Sequence, residues 1–333
     1  MRHGSILAGR LAVGILSLLC LANAAQAQPN AGQILTDAGL GADDKQSVLN
    51  GQFVNVSVGA VSDRDLSFAI AFLVKAPPET LSKQVIAGDL ITSDAQVKAY
   101  GEIKGAGSPA DFAKLSITSA EAQALTSAKA GEDVNLSASE IAAFKALAGG
   151  TTQAVQQQLR RMLLARYQAY RASGLAGIAP YDRGGGRTTD PAADLRKASQ
   201  AAQGLEKYLP AFQKVLLDYP QATLAGMQEN FFWLKSLIEK KTTYILVHIL
   251  IAPDGPARAV VRREYYASTG YNGSQSVGGF LPVPEGTVVI STSHAFTDQV
   301  TGFGGSMKRG IGSKVMAGRM KEIYEAGREK TQK

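Results

Sequence analysis

Residues 258–330 read RAVVRREYYASTGYNGSQSVGGFLPVPEGTVVISTSHAFTDQVTGFGGSMKRGIGSKVMAGRMKEIYEAGREK. Strand-like runs at 258–268 and 287–296 are followed by a glycine corner at 302–305 and a long helical pattern over about 306–328. Just upstream, TYILVHILIA at 243–252 is apolar on both parities, which marks a strand covered on both faces. Asp254-Gly255 is a hairpin signal leading into the run at 258, and Pro284-Glu285-Gly286 turns the chain into the run at 287. Strands joined by tight turns make an antiparallel sheet. The expected fold is therefore α+β, an antiparallel sheet of hairpins followed by a long C-terminal helix.

Upstream of these strands, residues 226–239 carry an aromatic run, Phe231-Phe232-Trp233, read as a further strand with a helix as the alternative. Near the other end, 51–60 alternates with Val54, Val56 and Val58 on one parity, and LSFAIAFLVK at 66–75 is a second, more apolar strand. Pro77-Pro78-Glu79 stops it and opens a helix, where proline is tolerated in the first turn. Residues 96–104 form another candidate strand. Between 105 and 225 the pattern is helical. Thr118-x-x-Glu121 and Ser137-x-x-Glu140 have capping-box spacing, and Val155, Leu159, Leu163, Tyr167 and Tyr170 trace one apolar stripe along 151–172. SGLAGIAPYDRGGGRTT at 173–189 reads as a linker. Its three glycines do not make a phosphate loop, because no strand precedes them and no Lys-Ser/Thr follows. The expected organisation is 28–104 as the first part of the α+β domain, 105–225 as a helical insertion, and 226–333 as the closing strands and helix.

The first residues predict the compartment. Arg2, His3 and Arg10 form a basic region ahead of a short apolar run, 11–22, and Ala25-Gln26-Ala27 has the small-x-small cleavage pattern. That is the pattern of a secretory signal peptide cleaved near Ala27, so a secreted or periplasmic protein is expected. Cys20 is the one cysteine and would leave with the signal, which removes disulfides, thiolate metal sites and cysteine nucleophiles together. The chain is +7, and +5 once the two arginines of 1–27 are removed. Positive charge sits in two blocks. Residues 160–187 hold six arginines against Asp182, and 308–333 hold eight Lys/Arg against three Glu. One reading is contact with an anionic membrane surface; the other is two solvated helix faces. Nucleic acid is a poor fit for an exported protein.

No motif defines a reaction. The chain lacks G-x-S-x-G, S-x-x-K and H-E-x-x-H. His248, inside the most apolar strand, reads as a satisfied core histidine. His294, with Asp298 four residues on and Ser291 and Ser293 beside it, is the alternative catalytic centre, of hydrolase type. No metal and no cofactor are expected. The corner at 302–306 before a helix allows a tight strand-to-helix turn, with Lys308 and Arg309 in the first turn as the argument for an anion site. In RREYY at 262–266, strict alternation would put Arg262, Glu264 and Tyr266 on one face, and Arg263 and Tyr265 on the other. One arginine must then face inward or the strand must lie at an edge.

The order of elements in 51–104 and 226–330 resembles the helix-grip, START-like architecture. Early strands, the helix opened at Pro77-Pro78, an antiparallel sheet and a long C-terminal helix carry the resemblance, with 105–225 as an insertion. It implies an antiparallel sheet gripped by the long C-terminal helix, with an apolar ligand held between the two. The expected function is binding of an apolar or amphipathic small molecule, such as a lipid. Tyr265, Tyr266, Phe280, Phe296, Met316 and Met320 would line the site, and Arg262 or Arg263 would orient a polar end. The alternative is an envelope-associated protein using its basic helices.

Overall fold

The computed structural model describes residues 30–131, 134–302 and 304–332; the signal-peptide reading falls on residues outside these. Two short helices, α1 (Ala31–Asp37) and α2 (Ala42–Leu49), lead into strands β1 (Val54–Val56) and β2 (Asp65–Val74). Helix α3 (Pro78–Ala87) follows, with Pro77 at its N-cap and Gly88 left-handed at its C-cap, and then β3 (Val97–Glu102). The helical block holds α4 (Ser119–Thr126), α5 (Ala138–Lys145) and α6 (Thr152–Ser173). Both expected capping boxes are formed, on Thr118 and Ser137. A two-stranded ribbon, β4 (Tyr181–Asp182) and β5 (Thr188–Thr189), precedes α7 (Pro191–Gln200), α8 (Gln203–Tyr208) and α9 (Pro210–Asp218). Five long strands complete the sheet: β6 (Gln228–Ile238), β7 (Lys241–Asp254), β8 (Ala257–Ala267), β9 (Gly273–Val283) and β10 (Gly286–Phe296). Helix α10 (Gly305–Gln332) ends the chain.

The large sheet has eight antiparallel strands in the order β1-β2-β10-β9-β8-β7-β6-β3. β6 to β10 are a meander of hairpins, and β10 returns to pair with β2 along its whole length. This is an α+β fold, and the strand alternative for 226–239 is the one that forms.

Both faces of the sheet are covered, which explains why β7 is apolar on both parities. Leu246 and Leu250 point into the core shared with α4–α9, together with Phe231, Trp233, Val261 and the α6 stripe. Ile245, Val247, Ile249 and Ile251 point the other way, with Phe72, Val74, Phe280 and Val289, toward α3 and Tyr324 of α10. The helical block thus packs on one face, α3 and α10 on the other. Helices α1 and α2 cover the β2–β10–β9 end of the helical-block face, against Ala71, Leu73, Leu281, Val288 and Ile290.

The 173–189 segment is packed, not a loose linker. Tyr181 is fully buried and its hydroxyl donates to the Asn272 carbonyl at 2.8 Å. Arg183 donates to Asn135, Asn272 and Asp298. Its glycines 184–186 all have positive φ, so they bend the ribbon without loosening it. Glycine also sets the sheet's close approaches. A Cβ on Gly278 would lie 2.2 Å from the Ile290 carbonyl oxygen of the neighbouring strand.

Candidate functional site

A cavity of about 310 Å³ lies between the sheet, α3 and the end of α10. Its floor is Phe72, Val74, Phe280 and Val289, from three adjacent strands. Leu81, Gln84 and Val85 of α3 form one wall, and Asp89, Leu90, Thr92 and Ser93 continue it. Tyr324, Gly327, Arg328, Lys330 and Thr331 of α10 close the other side. The local sequence explains the shape. α3 turns Leu81 and Val85, four residues apart, onto the sheet. Gly327 lets α10 close on Leu90, since a Cβ there would lie 2.6 Å from Leu90 Cδ2. Phe72 stacks on Phe53 with ring centroids 4.5 Å apart and meets Tyr324 at 5.1 Å, forming an aromatic end wall.

The rim is polar. Thr331 Oγ1 donates to Gln84 Oε1 at 2.7 Å, and Lys330 Nζ donates to Thr92 Oγ1 at 3.0 Å. The Arg328 guanidinium donates to the Gly51 carbonyl at 2.9 Å and lies over the Phe53 ring at 4.5 Å. Two cations and one acid, Asp89, line the site. An apolar floor with a small number of placed polar groups is the usual build of a small-ligand pocket, and 310 Å³ is at the lower end of the usual ~300–1,000 Å³.

Of the residues expected to line a ligand site, Phe280 lines this cavity. Arg262, Met316 and Met320 are on the same side of the sheet or on α10 but outside it. Arg262 pairs with Glu264, which also accepts from the Tyr271 and Ser274 hydroxyls. Burial works to raise the Glu264 carboxyl; Arg262 and these hydroxyls outweigh it and hold its pKa below the usual value. Arg263, Tyr265, Tyr266 and Phe296 face the helical block or share its parity, away from α10. The expected alternation is overturned by a β-bulge. Leu246 pairs with Tyr266 and Val247 with Glu264, so Tyr265 is the extra residue and both tyrosines turn to one face. The other cavity residues were not expected from the sequence: they come from β2 and β10, from α3 and the segment after it, and from the last turns of α10. The Leu81/Val85 spacing was legible; the partner it packs against was not.

On the helical-block face Arg263 is fully buried and bonds to neutral groups: Gln275 Oε1 (2.8 Å), Tyr170 Oη (3.1 Å), Ser199 Oγ (3.0 Å) and the Leu216 carbonyl (2.8 Å). Tyr170 Oη is 3.0 Å from His248 Nδ1, and His248 Nε2 is 3.0 Å from Glu229 Oε2. Glu229 also accepts from Arg171. The arrangement assigns the tautomer. Arg263 donates to the Tyr170 oxygen, Tyr170 donates to Nδ1, and Nε2–H donates to the carboxylate. Burial pushes His248 down to about 4, with Arg263 and Arg171 adding to the effect and Glu229 opposing it. Burial acts to raise Glu229, yet hydrogen bonds from His248 and Arg171 hold it down at about 2. His248 is thus a satisfied core histidine, as expected.

His294 and Asp298 are not partners. His294 Nδ1 bonds to Asp65 Oδ2 at 2.8 Å in a buried pair. Asp298 lies past the strand end and takes Arg183, Thr189 and, at 3.5 Å, Arg64. The strand carries His294 onto the sheet, while the turn after Phe296 carries Asp298 to the ribbon. The expected His294–Asp298 pairing is therefore not formed; Asp65 takes the place beside His294. Among the described residues no group of three or more His, Cys, Asp or Glu could hold a metal ion.

The first basic block is also used internally. Arg160 donates to the Leu115 and Ala113 carbonyls. Arg166 makes a bidentate pair with Glu140 and stacks over Tyr266 at 4.2 Å. Arg171 and Arg183 have the partners given above. Four of the six arginines in 160–187 are thus bound within the fold, while Arg161 and Arg187 are exposed. Comparison of the chain with protein-family models, with curated proteins and with solved structures finds no match.

Proposed function

We propose that the protein binds a small amphipathic molecule in the cavity between the sheet and α10, in the manner of the helix-grip proteins its element order resembles. The observation that carries this reading is the composition of the cavity: an apolar floor of Phe72, Val74, Phe280 and Val289 below a rim with Arg328 and Lys330. An apolar tail would replace water against the floor, a favourable exchange worth roughly 25 cal/mol per Å² buried. A carboxylate or phosphate at the other end would meet the two cations, whose long side chains keep their charge at the rim while their stems cover apolar surface. A cavity of this size takes a short or medium acyl chain or a single ring system. Longer chains require the end of α10 to move.

The test is native mass spectrometry of the protein purified from an exporting host, before and after incubation with octanoate, decanoate and palmitate. Retention of an endogenous amphiphile, or uptake of decanoate in preference to palmitate, supports the reading. A clean apo mass under both conditions overturns it. Arg328→Glu places a like charge beside the expected head group and weakens decanoate uptake; equal uptake by this variant would move the head group elsewhere.

A further inference from the structure

The outer surface of α10 is built differently from its inner one. Met307, Ile311 and Val315 are 74%, 59% and 67% exposed, three of the five large hydrophobic residues most exposed among the described ones. They recur every four residues, so they form one stripe about 12 Å long on the side turned away from the sheet. Lys308 and Lys314, both exposed, sit on the two edges of this stripe. The first sixteen residues of α10, 305–320, carry Lys308, Arg309, Lys314 and Arg319 and no acid. The first turn has no acidic residue.

That charge placement costs the helix stability. The N-terminal end of a helix carries partial positive charge and favours acids, and cations there are disfavoured by about 0.3–1 kcal/mol each. Exposed apolar residues in a row contribute nothing to the core. Arg309 is occupied by the Asp63 carbonyl and Ser306, and Arg319 by Asp94. Lys308 and Lys314 point outward beside the stripe. An apolar stripe edged by lysines on a convex helix matches one chemistry, an interface of acyl chains below anionic head groups.

We infer that the first half of α10 docks on an anionic lipid bilayer, with Met307, Ile311 and Val315 inserted among the head groups and Lys308 and Lys314 at the phosphate level. This does not rest on the ligand reading; the two use opposite faces and different ends of α10.

The experiment is sedimentation with vesicles of phosphatidylglycerol and phosphatidylcholine, mixed or phosphatidylcholine alone, using protein processed by an exporting host. All variants share the same N-terminus, so any contribution from it cancels. The wild type is expected to bind the mixed vesicles and to release as salt rises, because screening shortens the reach of the lysines. Lys308→Gln/Lys314→Gln should bind roughly thirty-fold more weakly, a factor of about five for each basic residue near an anionic surface. Met307→Ser/Ile311→Ser/Val315→Ser should lose binding at salt concentrations where the wild type retains it, with an unchanged circular dichroism spectrum. Equal binding to both lipid compositions overturns the proposal, as does full binding by both variants. So does a wild-type dimer in solution that the triple serine variant dissociates, since the stripe would then be a contact between copies of this chain. Binding of the stripe to an acidic protein with no vesicle binding overturns it too.

Discussion

His248 gives the most direct test of the buried network, because its effect can be worked out from its surroundings. The imidazole is buried and pushed down to about 4 from 6.5, so the folded protein resists its protonation. The unfolded chain binds a proton near 6.5 and the folded chain near 4. Between those values the unfolded state holds more protons, and stability falls as pH falls. Each pH unit of that interval is worth about 1.4 kcal/mol. The full loss is therefore about 3 kcal/mol by pH 4, of which about 2 kcal/mol has gone by pH 5. Glu229 is held down at about 2, and its contribution is lost at lower pH, below its ordinary 4.5, so the window from pH 7 to 5 separates the two groups. The assay is urea unfolding followed by circular dichroism at pH 7 and pH 5, on the wild type and on His248→Gln. Glutamine can still donate to Glu229 and accept from Tyr170 but cannot take up a proton. The wild type should lose about 2 kcal/mol more than the variant between the two pH values. An identical loss in both proteins would refute the argument, because the acid sensitivity would then lie in other groups.

Three further predictions concern packing. Gly278→Ala forces a Cβ to 2.2 Å from the Ile290 carbonyl oxygen and 3.1 Å from Ser291 Cα, and backbone atoms cannot give way, so a cost of about 2–3 kcal/mol and a clear fall in thermal midpoint are expected. Gly310→Ala and Gly318→Ala act in the opposite direction: a Cβ at either meets nothing within 4 Å, and each should stabilise by up to about 1 kcal/mol in the same thermal assay. Arg263→Ala leaves Tyr170, Gln275, Ser199 and the Leu216 carbonyl without their shared donor, and a loss on the order of 3 kcal/mol in urea unfolding checks it.

The elements that the sequence disclosed are those with local causes. The Thr118 and Ser137 boxes, the Pro77 opening and the hairpin turns at 254–255 and 284–285 need only neighbouring residues, and all form where expected. The α6 stripe is likewise buried throughout. What stayed hidden depends on a third element. The bulge at Tyr265 arises from pairing between β7 and β8, and alternation within β8 alone predicts the opposite side for Tyr266. With helices on both faces of the sheet, parity shows that Arg262 and Arg263 diverge but not which of them meets α10. Gly310, Gly312 and Gly318 look alike in sequence; in the structure Gly312 faces Leu66, where a Cβ would lie 2.9 Å from Cδ2, and the other two face open space.

The two faces of the sheet are held by different means, and this bears on where a ligand could enter. The helical block is fixed by large buried side chains and by the chain of hydrogen bonds through Arg263, Tyr170, His248 and Glu229. On the other face, the buried positions of α10 are small: Gly305, Ala317 and Gly327. The strands on that side present Ser274, Ser276, Gly278, Ser291 and Ser293. Small residues bury little apolar surface, so α10 gains less from the hydrophobic effect than its length suggests. Polar latches hold it instead: Arg319 to Asp94, Arg328 to Gly51, Lys330 to Thr92 and Thr331 to Gln84. Water can replace each of these at a net cost of about 1 kcal/mol for a neutral partner and somewhat more for a charged one. Local opening is therefore cheapest along α10, where the cavity lies, and dearest in β7 and α6. An amphipathic ligand entering under the last turns of α10 would disturb three latches and leave the rest of the fold unchanged.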